Sequence, residues 1–324
     1  MNILICTPHF PHCAEMLRKH LPEDSIRSCP ADQVRAAVAD VDVLIPAMYR
    51  VDAEVIARTS ARLIHQFGVG LEGVDIPAAT RRGIYVANVP GHEGAGNATS
   101  VAEHAIMLML ALARKFPRAL DNVQRRVFGS PLGLSLTGRT VAVLGVGSIG
   151  TELARRLRSL QMRTLGIKQH PSETLRQELG LHFLGGSQDL ERVLAEADFV
   201  VLALPVTPAT RGIMNAAALA QMKKSAFLIN VGRGPVIDHD ALVEALAQET
   251  IAGAGLDVFW DEPADPDDPL FRYNVIATPH IAGVTDLSYE DIARGLAANV
   301  NRLRAGSPPR NCVNLTEIEA LQHP

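Results

Sequence analysis

Short apolar runs recur along the chain, and the stretches between them are mixed in character. ILIC (3–6), DVLIP (42–46), RLIHQF (62–67) and IYVAN (84–88) have the length and saturation of buried strands. The intervening DAEVIARTS and DIPAATRRG have helical composition. Buried strands alternating with helices predict parallel sheets joined by crossover helices. A long helix is then expected over about 100–116. Ser100-Val101-Ala102-Glu103 fits a capping box at its start, and Pro117 is expected to end it.

The next segment, DNVQRRVFGSPLGLSLTGR, is punctuated by Gly and Pro and reads as a connector at a domain edge. A second α/β series follows, with strands expected at TVAVLG (140–145), RTLGIK (163–168), FVVLALP (199–205), AFLINVG (226–232), AGAGLDV (252–258) and NVIATPH (274–280). A last helical pattern covers about 286–305, and the acidic DEPADPDDP is a loop. There is no repeat at a fixed period and no low-complexity tract.

Bulk properties narrow the function classes. A chain of 324 residues suggests about two domains. It is 47% hydrophobic and 20% charged, as soluble globular proteins are. A net charge of −4 favours neither nucleic acid nor an anionic membrane. Cys6, Cys13, Cys29 and Cys312 form no CxxC pair and read as free thiols of a reducing compartment. MNILICTPHF has no basic segment or cleavage site, so no signal peptide is expected. VAEHAIMLMLALA contains Glu103 and His104 and is too short to span a bilayer. The expected location is cytoplasmic.

VAVLGVGSIGTELARRL places Gly145, Gly147 and Gly150 as G-x-G-x-x-G. A lone match is weak. Here an apolar strand precedes it and an amphipathic helix follows, with Ile149, Leu153, Leu157 and Leu160 on one face. The first glycine makes the tight turn, the second lets backbone approach a pyrophosphate, and the third lets helix and strand pack closely. The helix start at Ser148 and Ile149 offers free N–H groups and about half a positive charge to phosphates. A tight turn that binds nothing is the plainer alternative.

Ligands of an open parallel sheet bind beyond the carboxyl ends of its strands. FLINVGRG ends on Arg233, GLDVFWDEP carries Asp257 and Glu262, and VIATPHIAG carries His280. A guanidinium, a carboxylate and an imidazole therefore converge where the nicotinamide end of a dinucleotide would lie. Each taken alone has a plain reading as a loop residue. LGIKQHPS poses a further question. The strand after the glycine-loop helix usually ends on an acid that bonds the ribose 2′-hydroxyl. Here it ends on Lys168, with His170 close behind. A cation favours a 2′-phosphate, and so NADP(H) over NAD(H). The alternative is a lysine turned to solvent with NAD bound through other contacts.

These segments, in this order and spacing, resemble the D-isomer-specific 2-hydroxyacid dehydrogenases. The resemblance rests on GVGSIG, ALPVTPATRGIMN, LINVGRGPVID, GLDVFWDEP and TPHIAG, and extends upstream to FGVGLEGVDIPAATRRGIYVANVPG and SVAEHAIMLMLALAR. It implies two doubly wound, Rossmann-like α/β domains. A discontinuous flavodoxin-like substrate domain (1–99 and 285–324) would carry an inserted dinucleotide-binding domain (100–284). It also implies a homodimer built largely on the cofactor domain. By the same resemblance, Arg233 is the substrate-binding arginine, Glu262 the acid partner and His280 the proton donor. Val69 and Gly70 belong to the loop whose amides meet the substrate carboxylate. Leu204, Pro205, Val231, Gly232, Asp257 and Gly283 fall on cofactor-lining segments, beside Arg233 and His280.

The implied reaction moves a hydride between NAD(P)H and a small 2-oxoacid. Glyoxylate and hydroxypyruvate are the default substrates. Arg233 would anchor the carboxylate, and His280 would donate the proton. Glu262 would orient the imidazole and favour its charged form. Alternatives are 3-phosphoglycerate dehydrogenase, without an appended regulatory domain or a clear phosphate cluster, and, more distantly, formate or phosphite dehydrogenase. A dinucleotide-sensing corepressor on the same scaffold is a reading from another class. Arg50 is a candidate for a second anionic group of the substrate, the alternative being a plain surface charge. Cys6, His9, His12 and Cys13 lack the spacing and the acid of a metal site, so none is expected there. The resemblance places that loop near the substrate cleft. Trp260 either shapes the cleft or simply packs.

Overall fold

The computed structural model describes residues 1–91 and 95–322. By its internal contacts the chain divides into Met1–Asn97 with Thr285–Pro324, and Ala98–Val284. Each unit is an α/β layer structure with a parallel sheet.

The first unit contains β1 (Asn2–Ile5), β2 (Ser25–Ser28), β3 (Val43–Ile45), β4 (Leu63–His65) and β5 (Tyr85–Ala87), in the order β2-β1-β3-β4-β5. All neighbours are parallel. Leu4, Leu44, Ile64 and Val86 project from successive strands into one core. The C-terminal segment is stitched on by Asn314. Its Oδ1 accepts from Val86 N at 2.9 Å, and its Nδ2 donates to Ile84 O at 3.0 Å.

The second unit contains β6 (Thr140–Leu144), β7 (Arg163–Ile167), β8 (Phe183–Gly185), β9 (Phe199–Leu202), β10 (Phe227–Asn230), β11 (Gly253–Leu256) and β12 (Val275–Ala277), in the order β12-β11-β10-β9-β6-β7-β8. From β6 the chain winds outward to β7 and β8, then returns to β9 on the other side. The point of reversal lies between β6 and β9, where such sheets open a crevice for ligands. Alternate residues face opposite cores. Val141, Val143, Phe199 and Val201 enter one, and Ala142, Leu144, Val200 and Leu202 the other.

Two expectations about the long helix are corrected. The helix runs Ala95–Ala113, so Ser100 lies inside it and cannot cap it. Its first turns are set by tertiary contact instead: Gly96 N donates to Asp291 Oδ2 at 3.1 Å. Glu103 faces Arg156 at 3.6 Å rather than closing a capping box. Nor does Pro117 end a helix. The break comes earlier, at Lys115, whose backbone is left-handed (φ 52°), and Pro117 sits in the first turn of a second helix, Phe116–Gln124. A first-turn proline lacks only an N–H that has no partner there.

Candidate active site

The glycine loop has the geometry that its three glycines imply. Gly145 has φ +101°, in the region that favours glycine, and a Cβ there would lie 2.5 Å from Ala203 O. A Cβ on Gly150 would lie 2.2 Å from Gly145 O, so only glycine lets the helix Ser148–Ser159 start this close to β6. A Cβ on Gly147 would meet nothing within 4 Å. That open side faces outward beside the exposed Ser148 at the helix start. The residues present thus fit a pyrophosphate: a tight glycine turn, a close helix start and an open side at Gly147. Leu153 and Leu157 bury the helix against the sheet, with Ile149 and Leu160 packed at their flanks.

At the same edge the loop after β10 is threaded between its neighbours. A Cβ on Gly232 would lie 2.6 Å from Leu204 O, and one on Gly234 would lie 2.1 Å from the backbone of Phe259. The glycines flanking Arg233 therefore let its backbone press against the loops that follow β9 and β11. Asn230, fully buried at the end of β10, fixes the turn. Its Oδ1 accepts from Gly232 N at 3.0 Å, and its Nδ2 donates to Arg233 O at 2.9 Å. Arg233 is half-buried, and its Nη1 donates to Gly232 O at 2.8 Å.

Glu262 and His280 meet directly: Oε2 lies 2.7 Å from Nδ1. The other carboxylate oxygen accepts from Phe259 N at 3.0 Å. Burial works to raise the Glu262 pKa. The hydrogen bond from His280, that ring's charge, the Phe259 N–H and the Arg233 guanidinium outweigh it and hold the carboxyl below the usual range. Glu262 is thus a carboxylate that occupies Nδ1 of the His280 ring. His280 stands in a left-handed turn (φ 54°), its N–H shared between Asp257 O at 2.8 Å and Thr278 O at 3.0 Å.

Asp257 is almost fully buried. Oδ1 accepts from Thr278 Oγ1 at 2.7 Å and Ile281 N at 2.9 Å, and Oδ2 from Ala282 N at 2.9 Å. His104 joins this group, with Nε2 2.8 Å from Thr278 Oγ1 and 3.4 Å from Asp257 Oδ1. Sequence reasoning singled out neither Asn230 nor His104. Their signal was faint: a polar residue ending or interrupting an apolar run.

The remaining candidates are scattered. Lys168 follows β7 and its Nζ donates to Val146 O at 2.8 Å, so it is drawn against the glycine loop. Leu204, Pro205 and Val231 follow β9 and β10, and Gly283 follows the His280 turn. Arg50, Val69 and Gly70 belong to the other unit, where Arg50 and Val69 are exposed. Val69 O accepts from Asn88 Nδ2 at 2.6 Å. Cys6 and Cys13 are buried, and His12 faces Glu15 at 3.3 Å. Among the described residues no group of His, Cys, Asp or Glu is arranged to hold a metal ion. Trp260 packs: its Nε1 donates to Ile237 O at 2.7 Å, and its ring meets the edge of His239.

Residues 106–282 match the family described as D-isomer specific 2-hydroxyacid dehydrogenase, NAD binding domain. The chain belongs to this family. It is 38% identical to a glyoxylate reductase of Pyrococcus furiosus, over 90% of this chain and 88% of that protein. It is 34% identical to a D-3-phosphoglycerate dehydrogenase of Archaeoglobus fulgidus, over 98% of this chain but only 60% of that protein's length. A crystal structure of D-lactate dehydrogenase from Aquifex aeolicus, complexed with NAD and lactic acid, superposes with a TM-score of 0.80. It is 26% identical, over 99% of this chain and 98% of that one. Among the described residues, no helix is long and apolar enough to cross a membrane.

Proposed function

We propose that the protein is an NAD(P)-dependent 2-hydroxyacid dehydrogenase working as a 2-oxoacid reductase. The observation that carries this reading is the Glu262–His280 hydrogen bond of 2.7 Å, formed on loops next to the Arg233 turn. Gly145, Gly147, Ser148, Ile149 and Gly150 would hold the pyrophosphate. Leu204, Pro205, Val231, Gly232, Asp257 and Gly283 would line the rest of the dinucleotide. When bound, the reduced nicotinamide supplies a hydride to the carbonyl carbon. Arg233 holds the substrate carboxylate, since a planar fork suits a carboxylate. Val69 and Gly70 offer backbone amides to the same group, and Arg50 would meet a second anionic group only on an acid that carries one. As charge grows on the carbonyl oxygen, Arg233 and protonated His280 stabilise it. His280 Nε2 then gives up its proton to that oxygen, and Glu262 holds Nδ1 and steadies the ring's charge. One 2-oxoacid, one hydride and one proton give one 2-hydroxyacid.

Small acids such as glyoxylate and hydroxypyruvate are the proposed substrates, in keeping with the glyoxylate reductases among the relatives. The test is a panel of 2-oxoacids, including the oxoacid of 3-phosphoglycerate, assayed with each reduced cofactor. Turnover of a small acid supports the reading. Preference for the phosphorylated acid would replace the substrate assignment. Tight dinucleotide binding with no turnover of any acid would favour a sensor. NADPH is the proposed preference, because Lys168 is held at the glycine loop and no acid stands at the end of β7. NADPH should exceed NADH in kcat/KM, and Lys168→Asp should reverse the order. A tenfold advantage for NADH in the wild type would retire the proposal.

We assign the protein to the cytoplasm, on the support of its four free thiols. The proposed assembly is a homodimer. Phe116, Leu120, Val123, Phe128 and Leu132 are 51%, 53%, 76%, 102% and 88% exposed, a run of bare apolar side chains on and after one helix. Such a run marks a contact surface, and a second copy is the occupant we assign. Light scattering should give twice the chain mass, and Val123→Glu with Phe128→Glu should halve it. A monomeric wild type would contradict the assignment.

A further inference from the structure

We propose, on the reading just given, that His104 is a positioning residue for the proton donor: through Thr278 and Asp257 it fixes the turn that carries His280. The turn needs holding, because a residue with a Cβ does not favour the left-handed backbone that His280 adopts. Asp257 supplies the hold. Its carboxylate receives the Thr278 hydroxyl and the Ile281 and Ala282 N–H groups, and its backbone oxygen receives the His280 N–H. Every one of these donors belongs to the segment 278–282.

The protons can be assigned along this group. Thr278 has one hydroxyl proton, and at 2.7 Å it goes to the Asp257 carboxylate. Thr278 Oγ1 must therefore accept from His104 Nε2 at 2.8 Å, which puts a proton on Nε2. The result is a directed chain from His104 to Thr278 to Asp257. Burial pushes the His104 pKa below its usual value, and the Asp257 charge opposes this only in part, so the ring donates as a neutral imidazole near neutral pH. The donor stands on a firm base. The helix Ala95–Ala113 lies so close to β11 that a Cβ on Gly255 would be 3.1 Å from Leu108 Cβ. His104 thus ties a packed helix to a strained turn.

His104→Leu keeps the bulk and removes the donor. Amide exchange over residues 278–284, followed by mass spectrometry without cofactor, should quicken by about tenfold. In turnover, kcat should fall by about tenfold or more, with KM for the oxoacid changed far less, since a displaced proton donor slows the chemical step. His104→Gln, whose amide can donate to Thr278, should recover most of both. Thr278→Val should copy His104→Leu, and the double variant should lose no more than either alone. Unchanged exchange in the leucine variant overturns the inference, and so does faster exchange with wild-type kcat. If His104→Leu does not fold, Thr278→Val is read by the same two measurements. A wild type without turnover would defeat the proposed function alone, because the exchange experiment still decides whether His104 orders the turn.

Discussion

His280→Ala is expected to lower kcat by at least about 100-fold while dinucleotide binding persists, because general acid catalysis contributes typically 10²–10⁴-fold. The variant removes the ring that Glu262 holds at 2.7 Å. It changes none of the residues of the glycine loop, Gly145, Gly147 and Gly150, which follow β6. Glu262 would then lose the hydrogen bond that keeps its carboxyl low and would face burial with only Phe259 N and Arg233 in support. Steady-state turnover and fluorescence titration with NADPH separate the two effects. Activity within a few-fold of wild type would remove His280 from its role.

Arg233→Ala is expected to damage binding and chemistry together. Loss of one donor to a developing oxyanion costs roughly 10²–10³ in kcat, and loss of the carboxylate clamp should raise KM for the oxoacid by about tenfold or more. Arg233→Lys should recover only part of each, because an ammonium cannot reproduce the planar fork. The loop itself should survive the change. Its shape depends on Asn230 and on the close approach at Gly232 and Gly234, which remain when the Nη1 bond to Gly232 O is lost. An unchanged KM in either variant would contradict the clamp.

Much of this architecture was legible before the structure, for identifiable reasons. TVAVL and FVVL are saturated with apolar residues because both faces of a central parallel strand are buried. The glycines at 145, 147 and 150 were readable because each meets a separate steric demand. β2 and β8 were missed. Both are short edge strands, and SIRS buries only Ile26, which is too little for a periodic signal. The long helix was started too late because Ser100 and Glu103 form a local capping pattern inside a helix whose beginning is set by Asp291, far away in sequence.

The same contrast holds at the site. Arg233, Glu262 and His280 stand in glycine- or proline-marked loops after strands, where reactive groups are expected. His104 and Thr278 are 174 positions apart, and only the folded sheet reveals that they share a proton. Asn230 looked like the polar end of a strand, yet it shapes the turn beneath Arg233.

In the proposed reaction His280, backed by Glu262, protonates the carbonyl oxygen as a hydride reaches the C2 carbon of a small oxoacid. The most direct measurement uses NADPH carrying deuterium on the transferred C4 position, with glyoxylate and hydroxypyruvate as acceptors and the product examined by NMR. One deuterium at C2 of the 2-hydroxyacid per cofactor oxidised is expected, with the rate collapsing in His280→Ala. Cofactor oxidation without deuterium at C2, or label transfer that His280→Ala leaves at wild-type rate, would contradict it.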